Sequence, residues 1–420
     1  MYKAPRGTVD ILPQDQPYWR YIERTAGTLC QLYGYQRIDT PLFEETGLFV
    51  RSVGPGSDIV EKEMYTFQDL SGGSLTLRPE GTAPVCRAYL EHGLHNQPQP
   101  VRLFYLSAIF RYERPQAGRY RQFQQFGFEA IGDGHPALDA EAISLSWQLF
   151  RRLGLKELHL HLNSIGCKIC RPGFQQHLRD HYSGNIDRLC PDCRSRLTKN
   201  ALRLLDCKQP SCQALAKTAP RSLEHLCPQC ALHFEQLRKY LDLLELPYEL
   251  DHRLVRGLDY YTKTVFEIQP EVEGSQNTLG GGGRYDDLIE ELGGRPTPAV
   301  GFASGIERII LNLKRQQVPI PELPHPKVWL AHQGETAGEA VLKLAQKLRL
   351  AGIATIEAPA DKSLKAQLRQ ASAMGAEQVV ILGESELASG TVTLRDMAKG
   401  EQKSMTQAEL LTLLSPFAID

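Results

Sequence analysis

Eight of the ten cysteines of this 420-residue chain lie between residues 167 and 230, in four pairs. They are Cys167/Cys170, Cys190/Cys193, Cys207/Cys212 and Cys227/Cys230; three pairs are CxxC and one is CxxxxC. Eight thiolates are enough for two four-cysteine zinc sites, or for one filled site with spare ligands. The surrounding segment, 165–232, reads as a small polar insertion short of core-forming residues. A structural metal there would supply folding free energy directly, ~10–16 kcal/mol for zinc. A redox dithiol and reduced buried thiols without metal are the competing readings. An all-cysteine site leaves no open coordination position, which argues against a catalytic metal. How the pairs combine into sites is not deducible from spacing. Cys30 and Cys86 sit apart and read as ordinary buried thiols.

The length suggests two or three domains. A hydrophobic content of 42% with 23% charged residues is that of a globular protein. No apolar run approaches the ~18 residues of a membrane span. The start, MYKAPRGTVDILPQD, lacks a signal-peptide core, so no membrane partner and a cytoplasmic location are expected. With a net charge of −1, any nucleic acid must be met by local patches.

Residues 1–164 mix helix and strand. A helix is expected over 15–33, strands over 35–41 and 101–110, and a helix over 139–154 whose start Asp139 can cap. After the cysteine block the chain returns, over 233–317, to a helix at 233–247. Strands follow at 248–256 and 263–269, then a glycine turn, LGGGGRYDD (279–287), then strand, small-residue turn and helix over 299–316. A linker, VPIPELPHP (318–326), carries four prolines in nine residues. Beyond it, 327–420 alternates strand and helix, which predicts a small α/β domain with a largely parallel sheet.

The segment FRYERPQAGRYRQFQQFGFE (110–129) places Arg111, Arg114, Arg119 and Arg121 within eleven residues. It reads as two strands turning at Gly118. Guanidiniums projecting from a sheet suit bidentate recognition of phosphate; a solvated, charged edge hairpin is the alternative. No GxxxxGK[ST] is present, so ATP would not be held by a P-loop.

This hairpin, TLRPEGTA (76–83), LVRGLDYYT (254–262), GGGRYDDL (281–288) and GFASGIERI (301–309) occur in one order that resembles bacterial histidyl-tRNA synthetases. These are class II aminoacyl-tRNA synthetases. RGLDYYT is the most specific of the motifs, and the strand ending at Pro41 resembles the class II dimer motif. The resemblance implies an α+β catalytic domain on an antiparallel sheet, a cysteine-rich, mostly helical insertion, a C-terminal α/β anticodon-binding domain and a homodimer.

It also implies the chemistry. Histidine, ATP with Mg²⁺ and tRNA-His would be the substrates. Arg111 and Arg256 would act at the α-phosphate. Glu113 would read the adenine amino group, Arg119 would lie near the outer phosphates and Arg308 would clamp the γ-phosphate. Glu80, Thr82 and Gln125 resemble the set that holds the α-amino group, with Gly81 between them. Glu129 and Tyr261 resemble the pair on the two ring nitrogens, and Tyr260 lines the pocket. Arg114 and Gln116 resemble residues that contact the 5′ end of the tRNA, which carries an extra guanosine in bacterial members. Arg121 has no role in this scheme. The competing function is that of a catalytically idle paralogue, the regulatory subunit of ATP phosphoribosyltransferase. It typically lacks the C-terminal domain and degrades the RGLDYYT and Arg308 motifs.

Overall fold

The computed structural model describes residues 2–54, 57–271 and 278–417. The chain divides into two units, Met1–Pro321 and Glu322–Asp420. The first is built on an eight-stranded sheet. Its strands are β1 (Gln36–Arg37), β2 (Val101–Phe110), β3 (Gln122–Ile131), β4 (Leu158–Ser164), β5 (Glu249–Leu250), β6 (Thr262–Pro270), β7 (Gly280–Arg284) and β8 (Ala299–Gly305). Their spatial order is β1-β2-β3-β8-β7-β6-β4-β5. The inner pairs are antiparallel, and only the two-residue edge strands run parallel to their neighbours.

Six helices bear on the site: α1 (Gln16–Leu32), α2 (Thr82–Glu91), α3 (Pro136–Arg152), α4 (Arg171–Ser183), α5 (Pro228–Leu243) and α6 (Ile306–Arg315). Strand alternation assigns the two faces of the sheet. Phe126, Phe128 and Ala130 of β3 join Phe266, Phe302 and Phe150 in the core packed by α1, α3, α5 and α6. Burying each such aromatic stabilises the fold by ~1.5–3 kcal/mol. The intervening residues, Gln125, Gly127 and Glu129, face the other way, towards α2, Tyr105 and Tyr285.

Several elements differ from expectation. The arginine hairpin is not paired along its length: β2 ends at Phe110, β3 begins at Gln122, and Gln116–Arg119 is the bridge near the tip. The reason lies in its backbone donors, since Tyr112 N–H goes to Glu63 O (2.7 Å) and Arg121 N–H to Gly7 O (2.7 Å). The glycine run is not a turn but the buried strand β7 in mid-sheet. A Cβ on Gly282 would stand 2.0 Å from Gly301 O, so only glycine lets these strands approach so closely. Asp139 does not cap α3. That helix starts at Pro136, where His135 Nδ1 accepts from Ala137 N–H (3.2 Å), and Asp139 is buried one turn in. The strands expected over 35–41 and 248–256 shrink to β1 and β5, and α5 begins earlier than 233, at the cysteine block.

The insertion does have a core: Phe174, Leu178, Tyr182, Leu197, Leu204 and Leu215 are buried. These residues are spread over short helices, so no single stretch reads as amphipathic.

The second unit is a five-stranded sheet of β9 (Val328–His332), β10 (Thr355–Glu357), β11 (Gln378–Leu382), β12 (Thr391–Asp396) and β13 (Gln402–Thr406), in the order β10-β9-β11-β12-β13. It is mixed rather than largely parallel, because β11-β12-β13 pair antiparallel. Strand β13, QKSMT, buries only Met405 and therefore carries little hydrophobic signal.

Candidate active site

At one end of the cleft lies Glu129, projected from β3 and 1% exposed. Its Oε1 accepts from Thr82 Oγ1 (2.8 Å) and, at 3.5 Å, from Tyr105 OH; its Oε2 accepts from Tyr285 OH. Burial pushes the carboxyl up to about 8 despite the bonds from Tyr285 and Thr82. Glu80 accepts from the backbone N–H groups of Thr82 and Ala83, both at 2.7 Å, and so caps α2 while facing the cleft. Burial raises its pKa too, against those two bonds. Gln125 Oε1 is buried and has no partner, leaving an acceptor directed into the same space.

Three tyrosines close this end. Tyr260 and Tyr261 pack with ring centroids 4.8 Å apart and planes tilted by 44°, and Tyr260 meets Tyr285 edge-on at 5.6 Å. Tyr261 makes no hydrogen bond to Glu129; the phenols that do are Tyr285 and, at 3.5 Å, Tyr105, neither of which the sequence singled out. For Tyr285 the signal was the register of RYD after the glycine run, legible only once that run is known to be a strand. Gly81 lines the cleft indirectly: a Cβ there would enter the Tyr105 ring.

At the other end are four guanidiniums. Arg111 donates through Nε to Pro79 O (2.7 Å) and lies 3.7 Å from Glu113, which also pairs with Arg119 at 3.2 Å. Arg308, at the start of α6, donates through Nη1 to Thr278 O (3.1 Å). Burial, and then the charges of Arg119 and Arg111, lower its pKa against the pull of Glu113. Arg256 is paired with Glu267, whose other oxygen accepts from Thr278 Oγ1 (2.8 Å) and Gln269 Nε2 (3.0 Å). Glu307 accepts from Gln124 N–H (2.9 Å), its Oε2 has no partner, and burial pushes it up to about 7. Positive groups held together against their own repulsion make a site that an anion relieves.

Gly81, Tyr105 and Glu267 stand behind, while Glu80, Thr82, Gln125, Glu129, the three tyrosines, the four arginines, Glu113 and Glu307 line one continuous cleft. Arg114 and Gln116 do not; both are exposed at the loop tip. Arg121 is a staple, stacked 3.8 Å from the Tyr112 ring centroid and packed where any side chain on Gly7 would collide with it.

The cysteines form two groups of four, Cys167/Cys170/Cys227/Cys230 and Cys190/Cys193/Cys207/Cys212, with the sulfurs of each group within 4.8 Å of one another. None is in a disulfide. The Sγ separations Cys167–Cys170 (3.8 Å), Cys167–Cys227, Cys170–Cys230 and Cys190–Cys207 (each 3.9 Å) match the edge of a tetrahedron, ~3.8 Å for a Zn–S bond of about 2.3 Å.

A sheet that offers arginines and glutamates to one cleft, without a P-loop, handles a nucleotide in the way of class II aminoacyl-tRNA synthetases, and the fold is of that class. The family model described as histidyl-tRNA synthetase matches residues 7–309, and that of the anticodon-binding domain matches 327–415. A histidine–tRNA ligase of Dehalococcoides mccartyi is 58% identical over 98% of both chains. One of Pelotomaculum thermopropionicum is 51% identical over 96% of this chain and 94% of its own. The apo histidyl-tRNA synthetase structure from Staphylococcus aureus aligns with a TM-score of 0.83 at 38% identity, covering 99% of this chain and 100% of that one. The chain belongs to the histidyl-tRNA synthetase family.

Proposed function

We propose that this protein is a histidine–tRNA ligase. The observation that carries the proposal is the single cleft joining a buried carboxylate pocket to clustered guanidiniums. In the first step a carboxylate oxygen of histidine bonds to the α-phosphorus of ATP while the bond to the bridging oxygen breaks, releasing pyrophosphate. An anion attacks an anion there, so Arg111 and Arg256 neutralise the α-phosphate from two sides. Arg256 is aimed by Glu267. Arg308 and Arg119 hold the outer phosphates, Glu113 the adenine, and the partnerless Glu307 Oε2 is suited to the Mg²⁺ that accompanies ATP.

Gln125 and Glu80 accept from the α-ammonium, with Thr82 fixing Glu129. Glu129 accepts from one ring N–H, and Tyr261 with Tyr260 closes over the other ring nitrogen. An amino acid without an imidazole would leave these buried groups unpaired, which discriminates strongly. In the second step the terminal ribose hydroxyl of tRNA-His attacks the histidyl carbonyl and AMP leaves. Arg114 and Gln116 meet the 5′ end of the tRNA. The C-terminal unit reads the anticodon, and the active protein is a cytoplasmic homodimer. Each four-cysteine group holds one structural zinc ion; the sulfur spacing supports this.

The regulatory reading is disfavoured by the presence of the C-terminal unit and the intact RGLDYYT and Arg308 motifs. The test is pyrophosphate exchange with each amino acid in turn: exchange is expected with histidine alone, and its absence would refute the assignment.

A further inference from the structure

The Cys167/Cys170/Cys227/Cys230 group lies where two helices begin: Cys170 precedes α4 and Cys227 precedes α5. Three connections run from it to the Glu129 pocket. First, Arg171, next to Cys170, donates through Nη2 to Tyr261 O (2.5 Å) and Gly166 O (3.3 Å). Second, His233, three residues past Cys230, sets Nε2 3.3 Å from Asp139 Oδ1. Asp139 in turn grips Arg284, the residue before Tyr285. Third, Lys263 takes a left-handed φ of +48°, where β6 slips register against β7. A side-chained residue stays in that conformation only when its surroundings hold it. Lys263 N–H donates to Gly166 O (2.8 Å) and its carbonyl accepts from Ile165 N–H (2.8 Å), just ahead of Cys167. Such irregularities re-aim the side chains beside them, and Tyr261 is two residues away.

Folding the insertion alone would require none of these contacts. Beside the second cysteine group, Arg196, Lys199 and Arg203 pair with Asp58 and Glu61, and Asn200 and Arg203 reach Asp259 and Gly257, but no hydrogen bond or ion pair there goes to Tyr261, Lys263 or Arg284 among the described residues. We propose that the Cys167/Cys170/Cys227/Cys230 group is a positioning site, whose metal holds Arg171, Gly166 and His233 so that Tyr261 and Tyr285 stand correctly at the histidine pocket. The inference rests on the zinc and histidine-pocket readings above.

The test uses the full chain, with zinc measured by release to a chromogenic chelator and affinities for L-histidine and ATP measured separately by calorimetry without turnover. Arg171→Ala is expected to keep two zinc ions per chain and to weaken histidine binding by about tenfold, the scale of one lost charged hydrogen bond. ATP affinity should be unchanged, and Arg171→Lys should recover part of the loss. Emptying the group with Cys227→Ser/Cys230→Ser should weaken histidine binding similarly, with little further loss when Arg171→Ala is added. Two zinc ions with unaltered histidine affinity in Arg171→Ala would overturn the positioning role and leave the zinc reading intact. A wild-type protein without zinc would overturn both. If Arg171→Ala does not fold, Arg171→Lys and chelator-stripped wild type decide by the same titration: unaltered histidine affinity after zinc loss overturns the proposal.

Discussion

The buried pair Asp139–Arg284 offers the sharpest stability test. Both side chains are 0% exposed. Arg284 Nε lies 3.1 and 2.9 Å from the two Asp139 oxygens, Nη2 also bonds Asp139, and Nη1 bonds Asp133 O (3.0 Å) and Asp286 Oδ1 (3.1 Å). Asp139→Ala leaves a desolvated guanidinium with only Asp286 as counter-charge, which should cost about 3–5 kcal/mol. At ~2.1 cal/mol/K per residue, an unfolding unit of Met1–Pro321 should lose roughly 4–8 °C in Tm. The assay is thermal unfolding followed by circular dichroism at neutral pH and again in acid.

The pH dependence has a definite sign. Although burial opposes it, Arg284 with His233 holds the Asp139 carboxyl well below the ordinary carboxylate range. A depressed folded pKa contributes stability above the unfolded pKa, ~3.9, and loses it as pH falls towards the folded value. The gap between wild type and variant should therefore be constant at neutral pH and close as pH drops below about 4. A Tm loss under about 2 °C, or a gap that persists unchanged in acid, would refute the account of this pair.

Other outcomes follow from the same geometry. Glu129→Gln should reduce histidine-dependent exchange by ~10³ or more. Because burial keeps a proton on Glu129 up to about 8, its favourable contribution fades as pH rises from the unfolded value through that pKa, so the ligand-free variant should lose less stability than wild type over that span. Arg256→Gln should lower kcat for pyrophosphate exchange by ~10²–10³. Glu267→Gln should lower it less, since it acts by aiming Arg256. Arg114→Ala and Gln116→Ala should slow charging of a tRNA-His transcript in steady-state assays while leaving pyrophosphate exchange intact; slowed exchange would place them in the cleft instead.

Much of the site could be read from sequence because its motifs are local. RGLDYYT and GFASGIER each bring their cleft-lining side chains from one short contiguous stretch, and β2 announces itself as a ten-residue run dominated by aromatic and branched side chains. Reading failed where a residue's meaning depends on a distant partner. Asp139 reads from sequence as a helix cap, yet it lies inside α3 and its role is set by Arg284, 145 residues away. Tyr285 acquires its role from Glu129, 156 residues upstream in β3.

By itself, the sequence determined the family and, through it, the antiparallel catalytic scaffold. These rest on the order of short motifs and the resemblance they carry, and each motif is a property of contiguous chain. Only the tertiary structure decided how four cysteine pairs become two groups, why four glycines form a strand, and which tyrosines reach Glu129. Those outcomes depend on how closely separate strands and helices approach, and close packing makes that a property of the whole fold.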